Sequence, residues 1–116
     1  WKDYYQRKIV EKYKTGNNIF LIAINKENEI VGTCGGLQQS KDTIKFNCFY
    51  VDSKYRNIGI GNKLYNLFLQ FVQKEKYQEI ILCTFKEYDI AKKFYEKRGF
   101  ELFEKIDEEL WYKKEV

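Results

Sequence analysis

The sequence predicts an α+β domain built on one mixed β-sheet with helices packed on it. Three observations carry this. Short apolar runs separated by polar turns occupy Ile19 to Asn25, Ile30 to Leu37 and Ile44 to Val51. The pattern then changes to helical spacing over Asn62 to Lys76. A second strand-like block, Glu79 to Thr84, follows that helix. A strand–helix–strand passage requires a parallel pair with a right-handed crossover. An antiparallel meander running into one such crossover gives a mixed sheet.

Taken in order, Tyr4 to Tyr13 has apolar residues at Tyr5, Ile9, Val10 and Tyr13, a helical spacing that predicts an opening helix ended by Gly16-Asn17-Asn18. Ile19 to Asn25 and Ile30 to Leu37 flank the polar turn Lys26-Glu27-Asn28-Glu29 and read as a hairpin. Gly32, Gly35 and Gly36 make its second strand bendable or bulged. After the turn Ser40-Lys41-Asp42, the residues Ile44, Phe46, Cys48 and Tyr50 alternate with Lys45, Asn47, Phe49 and Val51, a third strand with two partly apolar faces. The longest helix places Ile60, Leu64, Leu67, Phe68, Phe71 and Val72 on one stripe, closed by Lys74-Glu75-Lys76. Glu79 to Thr84 reads as a buried strand. Tyr88 to Lys97 reads as a helix with Ile90, Ala91, Phe94 and Tyr95 inward and Gly99 as its stop. Phe100 to Phe103 and Leu110 to Lys113 are expected to close the sheet as an antiparallel pair.

The 116 residues suit one domain with one core, and 44% hydrophobic with 18% aromatic residues is enough to fill it. No apolar run approaches the ~18 residues of a membrane span. The chain begins at Trp1 and contains no Met, which leads to the expectation of a missing N-terminal element. With no His and no close cysteine pair among Cys34, Cys48 and Cys83, no metal site is expected. Those cysteines read as reduced thiols of a cytoplasmic protein. The net charge of +4 suits an anionic ligand and is too small to argue for nucleic acid. Lys92-Lys93 and Lys97-Arg98 read as solvated charge on a helix, with a polyphosphate border as the other reading.

Arg56-Asn57-Ile58-Gly59-Ile60-Gly61 carries the chemistry. Two glycines between a strand and a helix let the backbone approach a ligand. The helix start adds free N–H groups and the positive end of its dipole. Arg56 adds charge, and the unit reads as a phosphate or pyrophosphate pocket. A plain strand-to-helix turn is the alternative. It is not a Walker loop, since only Ile60 separates Gly59 from Gly61. It is not a dinucleotide fingerprint either: Leu64 stands where a third small residue is needed, and Glu79 precedes its strand instead of ending it.

Three features in order resemble the Gcn5-related N-acetyltransferase (GNAT) family. Tyr50-Val51-Asp52-Ser53-Lys54-Tyr55-Arg56-Asn57-Ile58-Gly59-Ile60-Gly61 is similar to the family's strand and Arg/Gln-x-x-Gly-x-Gly/Ala loop. Ile80-Ile81-Leu82-Cys83-Thr84 is similar to its next strand. Ala91-Lys92-Lys93-Phe94-Tyr95-Glu96-Lys97-Arg98-Gly99-Phe100 is similar to its Ala-x-x-x-Tyr-x-x-x-Gly-Phe segment. The match covers Ile19 to the C-terminus. The resemblance implies a GNAT-like three-layer fold, a central mixed sheet flanked by helices, and one N-acetyltransferase domain over residues 1–116.

It further implies acetyl-coenzyme A as co-substrate, lying where the strand ending at Val51 parts from the strand Glu79 to Thr84. The pantetheine arm is expected against the backbone of Phe49, Tyr50 and Val51. The pyrophosphate is expected on the amides of Arg56, Asn57, Ile58, Gly59, Ile60, Gly61, Asn62 and Lys63. An N–H near Val51 is expected to polarise the thioester carbonyl. Ala91 falls with the coenzyme-binding residues. Tyr95 matches the family tyrosine that protonates the departing thiolate; a core aromatic is its plain alternative. The expected acceptor is a primary amine on a small molecule or peptide, attacking directly in a ternary complex, with no nucleic acid or membrane partner and with pairing of two copies left open.

Two departures stand out. Tyr88 occupies a position where the family often has Asn. No acid lies between Thr43 and Val51, where many members carry a general base, and Lys45 and Asn47 stand there instead. The base is left open among a water, a residue of the missing N-terminal segment, Glu87 and Asp89, or an amine arriving neutral. The absent acid motivates a second reading, a coenzyme-A-binding sensing or assembly module without turnover.

Overall fold

The structure, a computed structural model, describes the backbone of residues 4–7 and the whole of residues 16–116. It contains the strands β1 (Tyr4–Arg7), β2 (Ile19–Ile24), β3 (Ile30–Gln38), β4 (Thr43–Val51), β5 (Glu79–Phe85), β6 (Glu101–Ile106) and β7 (Glu109–Glu115). The helices among the described residues are α1 (Ile60–Lys74) and α2 (Asp89–Lys97), with a 3₁₀ turn at Ser53–Tyr55. The strands form one sheet in the order β1-β2-β3-β4-β5-β7-β6. Every neighbouring pair is antiparallel except β4 and β5, which are parallel. The α+β class and the central mixed sheet flanked by helices are as expected.

The start of the chain differs from the sequence reading. Where the expected helix Tyr4 to Tyr13 is described, it is strand: β1 runs antiparallel to β2, from Tyr4 opposite Ile24 to Arg7 opposite Leu21. Residues 8–13 of that expectation lie outside the described residues. Tyr4 and Tyr5 are good strand formers, and the open edge of β2 offers them a ladder that a local helical spacing does not reveal.

α1 lies on β2, β3 and β4. Its stripe of Ile60, Leu64, Phe68 and Val72 is buried to 1% exposure or less. Close approach depends on Gly36, where a Cβ would stand 2.7 Å from Phe68 and 2.8 Å from Ile44. α2 meets the same core at Phe46, whose ring lies 4.7 Å from Phe68 of α1 and 6.2 Å from Tyr95 of α2. The two helices touch through Tyr65 and Phe94, edge to face at 5.9 Å.

β4 contains a bulge that overturns the simple alternation. Gly35 pairs with Asn47 and Thr33 with Tyr50, so Cys34 alone faces both Cys48 and Phe49. Cys48 takes a left-handed backbone, φ 51°, and its carbonyl accepts from Thr33 Oγ1 at 2.6 Å. The extra residue puts Phe49 on the same face as Phe46, with ring centroids 5.1 Å apart. Ile44, Phe46, Phe49 and Val51 therefore all turn toward the helices, and Tyr50 is half exposed.

Candidate active site

The parallel pairing of β4 and β5 is short. Thr43, Ile44 and Lys45 face Glu79, Ile80 and Ile81, and beyond that point the strands part. The opening leads into a cleft of about 890 Å³. Its β4 wall is Phe49, Tyr50 and Val51; its floor is Arg56, Asn57, Gly59, Gly61 and Asn62; its far wall is α2, with Ala91, Phe94 and Tyr95.

The floor is built from backbone. Asn57 (φ 64°) and Gly59 (φ 92°) both take left-handed conformations, which Asn and Gly accept at least cost. Gly59 caps α1, which starts at Ile60, two residues before the sequence reading placed it. The first helical bond runs from Lys63 N–H to Gly59 O at 2.9 Å. The N–H groups of Ile60, Gly61 and Asn62 thus lie at the helix start without an intrahelical acceptor. A Cβ on Gly61 would stand 3.3 Å from Phe49 and 3.6 Å from Val51, so helix start and strand end meet there. Arg56 Nε donates to the Val51 carbonyl at 3.1 Å, which fixes the guanidinium beneath the strand end. The turn is anchored from behind: buried Asn25 donates to Tyr55 Oη at 3.1 Å, and Asp52 caps Lys54 N–H at 2.9 Å.

Of the residues singled out from sequence, Phe49, Tyr50, Val51, Arg56, Asn57, Gly59, Gly61, Asn62, Ala91 and Tyr95 come together on this cleft. The side chains of Ile58, Ile60 and Lys63 are not among its lining residues. Ile58 is half exposed, and Ile60 is buried against β3. Lys63 spends its amide inside the helix.

Tyr95 is wedged among Phe46, Phe49, Phe94 and Phe100, with ring centroids 5.7–6.5 Å away. Burial, with Cys34 and Tyr65 adding to it, pushes its hydroxyl well above the usual tyrosine range. It is therefore a neutral donor at physiological pH. Burial also pushes the Cys34 thiol up to about 12, so it stays a thiol. Cys34, Cys48 and Cys83 are all free.

Tyr88 lines the cleft where the family pattern often has Asn, with its ring edge-on to Phe85 at 5.5 Å. Glu87 and Asp89 bring carboxylates to the same wall, Asp89 paired with Lys92 at 3.2 Å. Lys45 holds its ammonium over the Trp111 ring, 4.9 Å from the centroid.

Sequence reasoning read Lys97-Arg98 as solvated charge, with a polyphosphate border as the other reading, and gave Arg98 no partner. It lines the cleft with its guanidinium 3.4 Å from the centroid of the Phe94 ring. Its Nη1 donates to the Phe94 carbonyl at 3.0 Å and its Nη2 to Asn62 Oδ1. Spacing cannot show that the end of α2 reaches the start of α1. The described residues hold no group of three metal-ligating side chains and no helix long and apolar enough to cross a membrane.

The model of the acetyltransferase (GNAT) family matches residues 1–100. The fold is similar to that of a GNAT-family acetyltransferase from Staphylococcus aureus Mu50, with TM-score 0.82 and 27% identity over 90% of this chain and 71% of that one. An acetyltransferase from Streptococcus agalactiae 2603 gives TM-score 0.82 and 25% identity over the same shares. A GNAT-family acetyltransferase from Elizabethkingia anophelis, with acetyl-CoA bound, gives TM-score 0.74 and 17% identity over 86% of this chain and 77% of that one. Comparison with curated protein sequences gives no match. The chain belongs to the acetyltransferase (GNAT) family.

Proposed function

We propose that this member of the GNAT family is an N-acetyltransferase that moves the acetyl group of acetyl-CoA to a primary amine by direct attack in a ternary complex. One observation carries the reading: the parting of β4 from β5 brings a strand end left open on its β5 side, an amide-rich helix start and a neutral buried tyrosine into one cleft. Each part suits one part of the co-substrate that the Elizabethkingia anophelis protein binds. The β4 segment Phe49–Val51, with no strand beside it on the β5 side, suits the amide-bearing pantetheine arm as an added strand. The amides of Ile60, Gly61 and Asn62 suit the pyrophosphate.

In the reaction the amine nitrogen attacks the thioester carbonyl carbon, and the developing oxyanion takes a hydrogen bond from a β4 amide near Val51. The carbon–sulfur bond breaks with the electron pair on sulfur. Tyr95 gives that sulfur its proton. The amine loses one proton to a water or to Glu87 or Asp89, the carboxylates on the cleft wall. Positioning and oxyanion stabilisation supply most of the acceleration. The free cysteines fit a reducing compartment, the cytoplasm.

The test is release of free thiol from acetyl-CoA against a panel of small amines, polyamines and peptides, with calorimetry on the coenzyme alone. Turnover with at least one amine, lost in Tyr95→Phe, supports the enzyme. Tight coenzyme binding with no turnover on the whole panel favours a coenzyme-sensing module, the reading to which the lack of an acid on β4 points. No binding at all sinks both.

A further inference from the structure

Arg98 and Asn62 make a contact whose chemistry fixes more than their distance. A guanidinium has donors only. The atom of the Asn62 amide that faces Arg98 must therefore be its oxygen, as observed. With Oδ1 taken, the amide cannot rotate freely, and its NH₂ end is what Asn62 has left to offer on the cleft. Arg98 is itself held by neutral partners: the Phe94 carbonyl, the Phe94 ring face and, more distantly, the Tyr65 ring at 5.6 Å. Among the described residues no carboxylate pairs with it. Asn62 sits in the first turn of α1, beside the helix-start amides, and among the described residues its own NH₂ meets no acceptor.

We propose that Arg98 is a positioning residue that sets the Asn62 side-chain amide with its donor end toward the cleft, so that it adds one hydrogen bond to a phosphate oxygen of the acyl carrier. The inference rests on the proposed binding of acetyl-CoA and adds to it a side-chain phosphate contact held by a residue from the other helix. An acceptor-only ligand group is what a side-chain NH₂ beside the free helix-start amides complements. The same clasp joins the end of α2 to the start of α1, so the helix carrying Tyr95 and the helix carrying the amides keep one spacing.

Asn62→Asp separates this role from a structural one. The carboxylate keeps an acceptor for Arg98, and strengthens that contact, but has no donor to give and adds a negative charge where the phosphate belongs. A role confined to holding the helices together predicts an unchanged or raised melting temperature and unchanged kinetics. The proposal predicts the same melting temperature with KM for acetyl-CoA raised about tenfold or more, KM for the amine unmoved and kcat within about threefold. Arg98→Met, which frees the Asn62 amide to rotate, should raise KM for acetyl-CoA as well, and adding Asn62→Ala should worsen it little, since both remove one contact. If Arg98→Met does not fold, Arg98→Gln, which can accept as well as donate and so no longer dictates which end of the Asn62 amide faces it, replaces it with the same expectation. A folded Asn62→Asp protein with wild-type KM for acetyl-CoA overturns the proposal, as do fully additive effects in the double variant. Calorimetry of the unmodified protein with acetyl-CoA separates this failure from failure of the functional reading, because only the latter leaves the wild type unable to bind.

Discussion

At Ile44 and Lys45, β4 is held on both sides, by β3 and by β5, and the inward side chains Ile44 and, one residue on, Phe46 are buried to 2% exposure or less. From Cys48 to Val51 the same strand is bulged, is paired only with β3, and leaves Tyr50 half exposed. The difference is one of pairing and not of composition, since the second half is as aromatic as the first. A strand that loses one neighbour keeps its direction and exposes backbone groups in register, which is what an extended ligand can pair with. The closed half supplies stability and the open half lines the cleft proposed as the site, and the bulge at Cys48 is where one passes into the other.

The strongest way to break that comparison is in the closed half. Phe46→Ala should destabilise the protein by about 3–5 kcal/mol, because the ring touches both helices and no neighbour can fill its place. Urea unfolding measures it, and a loss under about 1 kcal/mol would deny Phe46 its central role.

In the open half the expected effects move from stability to rate. Tyr95→Phe should lower kcat about a hundredfold, with KM for acetyl-CoA within about twofold and little change in melting temperature. Because burial raises the Tyr95 hydroxyl above its ordinary value, wild-type kcat should not fall as pH passes about 10, where an exposed phenol ionises. A falling limb there that Tyr95→Phe abolishes would contradict this.

The two loop glycines sharpen the contrast further. Gly61→Val would press on Phe49 and Val51, so it should raise KM for acetyl-CoA about tenfold and cost little in the fold elsewhere. Gly59→Ala has nothing within 4 Å to strike but takes a left-handed backbone, so it should cost about 1 kcal/mol of stability and leave KM closer to wild type. Equal effects of the two on KM would show that the loop responds as one unit.

The smallest effect belongs to Tyr65, whose buried hydroxyl has no partner among the described residues. Tyr65→Phe should raise stability by about 1 kcal/mol near pH 7. Burial pushes this hydroxyl from 10.0 up to about 12. Below pH 10 both folded and unfolded chains hold the proton, and its contribution is fully present. Between pH 10 and about 12 the unfolded chain ionises first, so wild-type stability falls as pH rises. Melting curves across that range should fall less steeply in Tyr65→Phe.

The site was legible to the extent that it is local. Gly59, Gly61, Arg56 and Tyr95 sit at fixed offsets along the chain, and each offset reflects a turn or a helix repeat. The face of Phe49 was misread because an alternating pattern carries no sign of an extra residue, although the left-handed Cys48 shifts every side chain after it. The opening helix was expected over Tyr4 to Tyr13 because spacing there is helical, and the open edge of β2 that pairs with Tyr4–Arg7 is not a local property. Arg98 read as solvated charge or as the border of a polyphosphate site, and its contact with Asn62 went unseen because Asn62 comes from another helix.

By itself the chain determined the order of most elements, the parallel crossover between β4 and β5, and the glycine turn that starts α1. These follow from side-chain period and backbone freedom, which act between near neighbours. Only the folded molecule decided how soon β4 leaves β5, which way Phe49 turns, and that Arg98 closes on Asn62. Those depend on surfaces meeting across the core, where one residue gained in a strand or one small side chain under a helix changes who touches whom.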